Sequence, residues 1–441
     1  KLIKVRKDLV NTYTKKVIKN FSWLMLDKLV LAFVSLIVLL NVANYYGPYD
    51  YGLYQYALSL NLIFGVIIFF VDGRVVIKFF SKEDEFRTLY NSVIAKVFLS
   101  LISLFIGIIL LAIIDAPQKF NLIYLLLLLN NIIVNVVFGI ECYFNFHLKS
   151  KNIVIASNVS NLTSAVMQLV AISLNFSIVA IMCVVLISSI IKSFIIFFQF
   201  FKIYDGSMSF NIHKNLIYRI VKESIPLAIA AAAAMIYART DMAMIGAMLD
   251  IEQVGIYSVS VNILSVMIIA IVPIQVSIYP KMLEWYEESR EVYYEKYQII
   301  SSLVTWLFIF AAFFAVLTAP IFFNTLFSEE YSKSLDVFMI HIIGAFFIYN
   351  SILRSSHFTI TGFTKVLMIS QVLAVFINIF LNYFLIPNFG IIGAAIATTT
   401  THFLSLFFSN LFFKNSKKIF WIQLKGINPL SFIKNDLKNL L

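Results

Sequence analysis

Charged residues are scarce in this sequence. Lys, Arg, Asp and Glu make up 13% of its 441 residues, whereas hydrophobic residues make up 61%. A soluble domain carries about 25% charged residues, so the composition excludes an ordinary soluble protein. Apolar runs of about 20 residues recur along the chain, and each could cross the hydrocarbon core of a bilayer as a helix. The runs lack the two-residue alternation of membrane β-strands, so we predict an all-α polytopic membrane protein.

Cysteine is rarer still, and motifs for catalysis are absent. Cys142 and Cys183 lie in or beside predicted helices and show no CxxC spacing, which excludes a disulfide framework and a zinc site. The sequence has no Walker A loop, no G-x-S-x-G nucleophile elbow and no glycine-rich dinucleotide loop. We therefore predict a protein that is not an enzyme and that binds no cofactor and no metal.

Positive charge exceeds negative charge, with 34 Lys and Arg against 23 Asp and Glu. In a soluble protein this excess would suggest nucleic acid, but here the charges lie mainly in loops and tails. The apolar runs predict twelve helices, with short turns at 45–52 and 387–390 among their connections. Among these helices, 26 Lys and Arg fall on one side of the membrane and 2 on the other. The positive-inside rule therefore predicts that both termini are cytoplasmic, together with the loops 78–90, 147–152, 202–222, 280–297 and 355–365.

The hydropathy pattern divides the chain into four parts. We expect an N-terminal six-helix lobe with a basic cytoplasmic lead-in at residues 1–201 and a C-terminal six-helix lobe at residues 223–413. Between them, residues 202–222 place apolar side chains on one helical face, which is typical of a helix that lies on the bilayer surface. Residues 414–441 form a basic cytoplasmic tail.

A faint internal repeat relates the two predicted lobes. When the chain is shifted by 203 residues, Gly-Leu-Tyr at 52–54 aligns with Gly-Ile-Tyr at 255–257, and Lys78 aligns with Lys281. Few other identities survive, so chance and shared hydropathy are the alternative explanation. Six helices in each half make the repeat a parallel one, with a binding site expected at its interface.

Four stretches resemble a known family. They are YYGPYDYGLY at 45–54, ARTDMAMIGAMLDIEQVGIYSVS at 238–260, LFSEEYSKSLDV at 326–337 and LNYFLIPNFGIIGAAIATTTTHF at 381–403. With the six-plus-six layout, they make the chain similar to Wzx-type polysaccharide flippases of the multidrug/oligosaccharidyl-lipid/polysaccharide exporter superfamily. The resemblance implies two lobes around a central cavity.

The resemblance also implies a cargo and partners. The cargo would be an undecaprenyl-pyrophosphate-linked oligosaccharide, such as an O-antigen or capsule repeat unit, moved across the bacterial cytoplasmic membrane. The expected partners are this lipid, H+ or Na+ as coupling ion, membrane lipids and other polysaccharide assembly proteins. Close relatives that move cell-wall precursors usually carry two further helices, and this sequence has room for only twelve.

Five charged residues inside predicted helices are the candidates for cargo binding and coupling. Lys28, Lys192 and Arg239 lie deepest, where unpaired cations facing lipid would be costly, and we predict that they bind the cargo. Lys28 and Lys192 are expected to line the cavity of the N-terminal lobe, and Arg239 is expected to anchor the pyrophosphate. Asp27 and Asp241 are the candidates for ion coupling. Arg239 and Asp241 would project about 200° apart on a helix, so one can face a cavity while the other faces a neighbouring helix. The alternative interpretation for Arg239 and Asp241 is a structural ion-pair network. For the neighbours Asp27 and Lys28 it is that each is neutralised by a different helix.

Three further cations lie nearer the predicted cytoplasmic boundary. Arg74, Lys96 and Arg354 are candidate cytoplasmic-gate cations, but we favour topology anchoring, because long side chains reach from such positions to the membrane surface. His341 and His402 are each alone on an apolar helix, which favours a core histidine over a proton carrier.

Two other functions remain as alternatives. A cation-coupled multidrug exporter of the same superfamily would favour carboxylates over cations inside the membrane, whereas here six intramembrane cations accompany Asp27, Asp72, Glu141 and Asp241. A membrane-embedded polysaccharide polymerase would need an external domain, and the longest predicted outward loop, 320–334, is too short for one.

Overall fold

The computed structural model is almost entirely α-helical. It describes the backbone of residues 2–428 apart from 115, 270 and 414–415. Side chains are described from residue 30 to residue 428, apart from the same four positions and from 272–273 and 276–277. The helices are α1 (Leu2–Phe64), α2 (Gly73–Phe80), α3 (Glu85–Ile113), α4 (Gln118–Val136), α5 (Phe138–Phe146), α6 (Ser150–Ser173), α7 (Ile178–Ile203), α8 (Lys214–Met248), α9 (Ile251–Ile269), α10 (Val272–Glu288), α11 (Arg290–Leu326), α12 (Ser332–Ile360), α13 (Thr364–His402) and α14 (Lys417–Gly426). Short 3-10 or π segments occur at Gly65–Phe70, Glu329–Tyr331, Phe403–Phe407 and Phe408–Leu411.

About twelve membrane passes follow from these helices. Ten segments of the described chain are long and apolar enough to span a membrane. Two are too long for one pass, since Val30–Phe80 has 51 residues and Thr364–Leu411 has 48, whereas about 20 suffice. Each contains one glycine with positive φ, Gly47 at 71° and Gly390 at 60°, a conformation that glycine adopts without steric cost. Each long segment therefore supplies two passes, and the predicted all-α fold is confirmed.

Two predicted turns are kinks rather than loops. The turn expected at 45–52 is confined to Gly47, and the helix resumes at Pro48, since proline is well suited to a first helical turn. The turn expected at 387–390 is likewise reduced to Gly390. The predicted cytoplasmic loop 280–297 is also largely helical, because α10 and α11 continue beyond their apolar parts with charged residues. Hydropathy marks only the part of a helix that the membrane covers.

The chain forms two compact units. The first contains the residues up to Tyr46 and Ala57–Met235, and the second contains Gly47–Tyr56 and Ile236–Leu441. The sequence predicted lobes at 1–201 and 223–413, separated by a linker. In the structure the division falls inside α8, and a short segment around the first kink joins the second unit.

The linker expected at 202–222 behaves differently from a surface helix. Its second half is the start of α8, and Leu216 and Ile220 are buried in the core of the first unit. This core is formed by α2, α3, α5, α6, α7 and α8. Ion pairs between Arg219 and Glu83 and between Lys78 and Glu223 hold the same stretch from outside the core. The apolar face therefore packs against protein, where we expected it to face lipid.

Within the second unit, two glycines form a reciprocal contact. A methyl group added at Gly52 would lie 2.0 Å from the carbonyl oxygen of Ile251, and one added at Gly255 would lie 2.0 Å from that of Pro48. Both glycines and both carbonyl residues are 203 positions apart in the sequence. A self-complementary contact of this kind is what two-fold symmetry produces, and it supports the internal repeat.

Candidate functional site

Asp241 is the centre of a buried polar cluster in the second unit. Its side chain is 8% exposed. Oδ2 accepts hydrogen bonds from the hydroxyls of Tyr257, at 2.7 Å, and Thr398. Oδ1 accepts from Nδ2 of Asn378 at 3.0 Å and of Asn382 at 2.7 Å. Four neutral donors therefore satisfy the carboxylate without a cation from the described residues.

The kink in α13 brings three of these donors together. Asn378 and Asn382 are four residues apart, so they lie on the same face of the first arm of the helix. After Gly390 the chain turns back, and Thr398 on the second arm lies opposite them, within 3.2 Å of Asn378 Nδ2. Without the positive φ at Gly390, one helix could not present both groups to the same carboxylate.

A cavity of about 180 Å³ lies beside Asp241. Its lining includes Tyr237, Asp241, Tyr257, His341, Thr398 and His402. His341 Nε2 lies 3.1 Å from the phenol oxygen of Tyr257. The phenol oxygen of Tyr237 and Nδ1 of His402 are buried and have no hydrogen-bond partner within the described part of the chain. His341 therefore has a hydrogen-bond partner, as we expected of both core histidines. His402 lines the cavity, and its Nδ1 has no hydrogen-bond partner among the described residues.

Arg239 points to different surroundings from Asp241, as their spacing predicts. Its guanidinium lies near the phenols of Tyr51 and Tyr54, and Nη1 is 3.7 Å from the sulfur of Met242. No carboxylate of the described residues forms an ion pair with it. Arg239 is partly exposed as a residue, but its guanidinium is largely buried.

Lys192 has a partner that the sequence did not predict. Its Nζ lies 2.7 Å from Oε1 of Glu141, and the two side chains are 24% and 23% exposed. Glu141 is on α5 and Lys192 is on α7, both in the first unit. An ion pair that remains partly accessible inside a membrane protein can either stabilise the helix bundle or exchange its partner for an anionic ligand.

Two of the three boundary cations are buried, contrary to our expectation. Lys96 is 6% exposed and donates a 2.6 Å hydrogen bond to the carbonyl of Ile68. Ile68 lies in the last turn of a 3-10 segment, and the amide of Asp72, four residues further on, donates to the hydroxyl of Ser224. Arg74 alone extends outward, with a 70% exposed side chain that pairs with Asp72.

Arg354 is the second buried boundary cation, at 2% exposure. It donates to Oδ1 of Asn410 at 2.6 Å and to the hydroxyl of Ser370 at 2.7 Å. Asn410 belongs to the irregular end of the last pass and also binds Gln423 of α14. Arg354 therefore connects three elements of the second unit. For Lys96 and Arg354 the expected reach to the membrane surface is wrong, since polar groups at irregular helix ends hold them inside.

The side chains of Asp27 and Lys28 lie outside the described residues. Within the described part of the chain, no three His, Cys, Asp or Glu side chains form a group that could hold a metal ion.

Comparison with known proteins shows the family to which the chain belongs. The family model described as "Polysaccharide biosynthesis protein" matches residues 17–286, which is well over half of the chain. The chain belongs to this polysaccharide biosynthesis family. It is 22% identical over 404 residues to the capsular polysaccharide biosynthesis protein CapF of Staphylococcus aureus, covering 90% of this chain and 99% of CapF. It is also 27% identical over 191 residues, 39% of each chain, to the probable low-salt glycan biosynthesis flippase Agl15 of Haloferax volcanii.

Solved structures establish the fold of this family member. The lipid II flippase MurJ in an inward closed conformation matches with a TM-score of 0.71 and 15% identity, over 94% of this chain and 92% of that chain. A MATE-family multidrug resistance transporter in an inward-facing conformation matches with a TM-score of 0.67 and 13% identity, over 92% and 96%. At such identities the likeness concerns the fold alone.

Sequence reasoning missed the partners of the candidate residues. Tyr257, Asn378, Asn382 and Thr398 surround Asp241 but were not predicted as site residues. A signal was present, because asparagine and threonine are unusual in apolar helices, and such side chains at the same depth are candidates for bonding to a buried acid. The pairing of Glu141 with Lys192 had no comparable signal, since hydropathy does not reveal which faces of two helices meet.

Proposed function

We propose that this chain flips an undecaprenyl-pyrophosphate-linked oligosaccharide across the bacterial cytoplasmic membrane during the synthesis of a surface polysaccharide. Its family supports a role in polysaccharide biosynthesis. The names of two relatives, a capsular polysaccharide protein and a glycan flippase, support a glycan cargo. In this proposal the protein is a transporter that exposes its cargo site alternately to the two sides of the membrane.

The observation that carries the proposal is that Arg239 forms no ion pair with the described residues. An arginine in a membrane span is costly unless a counter-charge or water surrounds it. Its neighbours Tyr51 and Tyr54 are neutral phenols, and no acid of the described residues offsets its charge. A planar guanidinium binds two phosphate oxygens at once and stays ionised when desolvated. The missing counter-charge therefore favours an anionic cargo group, and a pyrophosphate provides one. Lys28 and Lys192 are the further candidates for this role.

The Asp241 cluster is the proposed ion-coupling site, with Asp27 as a second candidate. Oδ1 of Asn382 is buried and accepts no hydrogen bond within the described residues, so it is free to bind a cation or water. A half-turn of an asparagine amide exchanges its donor for its acceptor, which would give a cation several oxygen ligands around the carboxylate. The alternative coupling ion is a proton on Asp241. Because the protonated carboxyl group is itself a hydrogen-bond donor, it would need one fewer of the four surrounding donors.

The proposed orientation has both termini in the cytoplasm. The strong bias of Lys and Arg to one side of the predicted helices supports it. Other polysaccharide assembly proteins are the expected partners, because the cargo must be made on the cytoplasmic face and consumed on the outer face.

The experiment is a flipping assay in proteoliposomes that contain the purified full-length protein. Undecaprenyl-pyrophosphate-linked oligosaccharide with a fluorescent sugar is placed in both leaflets, and quenching from outside reports its exchange. We expect fast loss of the protected fraction with the protein and none with empty liposomes. Protection that is unchanged by the protein contradicts the proposal. Growth of the glycan chain would indicate a polymerase, and accumulation of a cationic dye would indicate a multidrug exporter.

A further inference from the structure

One face of α6 is polar through the middle of the membrane. Ser157, Asn161, Ser164 and Gln168 follow each other at intervals of four, three and four residues, so they lie in one line along the helix. The opposite face is apolar and exposed, as expected of a face that contacts lipid. It carries Val159, Leu162, Val166, Leu169 and Val170, which are 37–60% exposed. The helix therefore separates a lipid side from a polar side.

The polar line is incompletely hydrogen-bonded. Gln168 Nε2 donates to the hydroxyl of Ser164 at 2.9 Å. The side chains of Ser157 and Asn161 are partly exposed and form no hydrogen bond with the described residues. Asn161 lies close to the middle of α6, which runs from Ser150 to Ser173. A free amide at this depth is costly against hydrocarbon, so this face requires water or a polar ligand.

The polar line begins at the level of the Lys192 ion pair. The hydroxyl of Ser160 donates a 2.6 Å hydrogen bond to the carbonyl of Ser188, which fixes the relative height of α6 and α7. The two helices follow each other through a short turn and run in opposite directions, so Ser157 lies near the height of Lys192. The cation and its partner Glu141 thus lie at one end of the line, and Gln168 lies at the other.

We propose that Ser157, Asn161, Ser164 and Gln168 of α6 bind the glycan part of the cargo. Their amides and hydroxyls are both donors and acceptors, which matches the hydroxyl and acetamido groups of sugars. Their spacing along the helix covers about 16 Å, enough for several sugar residues. This inference rests on the proposed function, and it separates recognition of the glycan from recognition of the pyrophosphate.

The test compares two lipids on the purified full-length protein in detergent. One is undecaprenyl pyrophosphate, and the other is the lipid-linked repeat unit extracted from cells that make this protein. Asn161→Leu should weaken binding of the glycan-bearing lipid about tenfold, which corresponds to about 1.4 kcal/mol, and change binding of the sugar-free lipid less than about twofold. Ser164→Ala should act in the same direction with a smaller effect. Val166→Leu on the lipid side is the matched control and should change neither affinity.

The outcomes separate this inference from the function on which it rests. An equal loss for both lipids would assign Asn161 a structural role and overturn the inference, as would unchanged affinity for both in Asn161→Leu and Ser164→Ala. If Asn161→Leu does not fold, the affinities of Ser164→Ala for the two lipids decide whether α6 binds the glycan. Wild-type protein that binds both lipids equally well also overturns the inference but leaves the flippase intact. Wild-type protein that binds neither lipid contradicts the proposed function itself.

Discussion

The phenol of Tyr257 connects Asp241 to His341. It donates to the carboxylate over 2.7 Å, so its oxygen can accept a hydrogen bond from the Nε2–H of His341 at 3.1 Å. All three groups line the same cavity, and Thr398 completes the contact with the carboxylate. The arrangement gives Asp241 a buried, ordered path of hydrogen bonds to a group that can carry a proton.

We expect Asp241→Asn to remove the dependence of transport on its coupling ion. The amide cannot be deprotonated, and it offers one oxygen where the carboxylate offers two. Export of the glycan in a null strain should fall at least about tenfold, and its response to pH and to replacement of Na+ by K+ should disappear. Tyr257→Phe, which removes one of four donors, should keep export and shift its ion dependence. Asp241→Asn with the wild-type ion dependence would contradict a coupling role.

Arg239 should be intolerant of neutral substitution. We expect Arg239→Ala to abolish glycan export and Arg239→Lys to retain part of it, because an ammonium keeps the charge and loses the bidentate geometry. Export is measured in a null strain, with the abundance of each variant in the membrane as control. Full export by a normally abundant Arg239→Ala variant would exclude the anchor role. If that variant is absent from the membrane, Arg239 stabilises the fold instead.

Hydropathy was sufficient to predict the helical membrane fold, but it was insufficient to predict the surroundings of the candidate site residues. Apolar runs predict where a chain crosses a membrane, so about twelve passes could be counted from the sequence. Run length does not distinguish a loop from a one-residue kink, and Gly47 and Gly390 therefore appeared as turns. Lys96 and Arg354 show a second limit, because distance from the membrane boundary says nothing about whether neighbouring helices enclose a side chain.

The partners of the charged residues depend on contacts that are remote in the sequence. Glu141 and Lys192 are on different helices, and Asp241 receives its donors from α9 and both arms of α13. Periodicity along a single helix does not predict which side chains of different helices contact each other. Arg239, which forms no ion pair with the described residues, was identifiable from the sequence only as a charge in an apolar run.

The orientation can be tested with reporter fusions. We expect a fusion after Lys119 to place its reporter outside the cytoplasm, because few basic residues lie on that side of the predicted helices. A fusion after Asn152 should place it inside the cytoplasm. Alkaline phosphatase and green fluorescent protein report the two compartments. The same compartment for both sites would be incompatible with the pass that connects them.

The reciprocal glycine contact predicts a sharp steric requirement. Gly52→Ala and Gly255→Ala should each lower the melting temperature of the purified protein, because the added methyl group meets a carbonyl oxygen at 2.0 Å. Overpacking of this kind typically costs about 1–3 kcal/mol. Gly65→Ala is the control, since its methyl group would meet its nearest neighbour at 3.6 Å. Wild-type melting temperatures for both variants would show that the helices separate at no cost.

The ion pair of Lys192 and Glu141 allows its structural and functional roles to be separated. Removing one member leaves the other without its counter-charge, so Lys192→Met and Glu141→Gln should each lower thermal stability. The double variant Lys192→Met/Glu141→Gln removes both charges and should recover most of that loss. A double-mutant cycle on melting temperature therefore measures the pairing.

Measurements of glycan export separate a structural role of Lys192 from a role in cargo binding, which melting temperatures alone do not separate. If Lys192 only neutralises Glu141, the double variant should export glycan as the wild-type protein does. If Lys192 binds the pyrophosphate, the double variant should be stable and still export poorly, whereas Glu141→Gln alone should bind the cargo more tightly, because the cation no longer has a competing partner. Affinity for undecaprenyl pyrophosphate in detergent is the decisive measurement. We expect a loss of about tenfold in Lys192→Met/Glu141→Gln, about 1.4 kcal/mol, and unchanged affinity would assign Lys192 to the helix bundle alone.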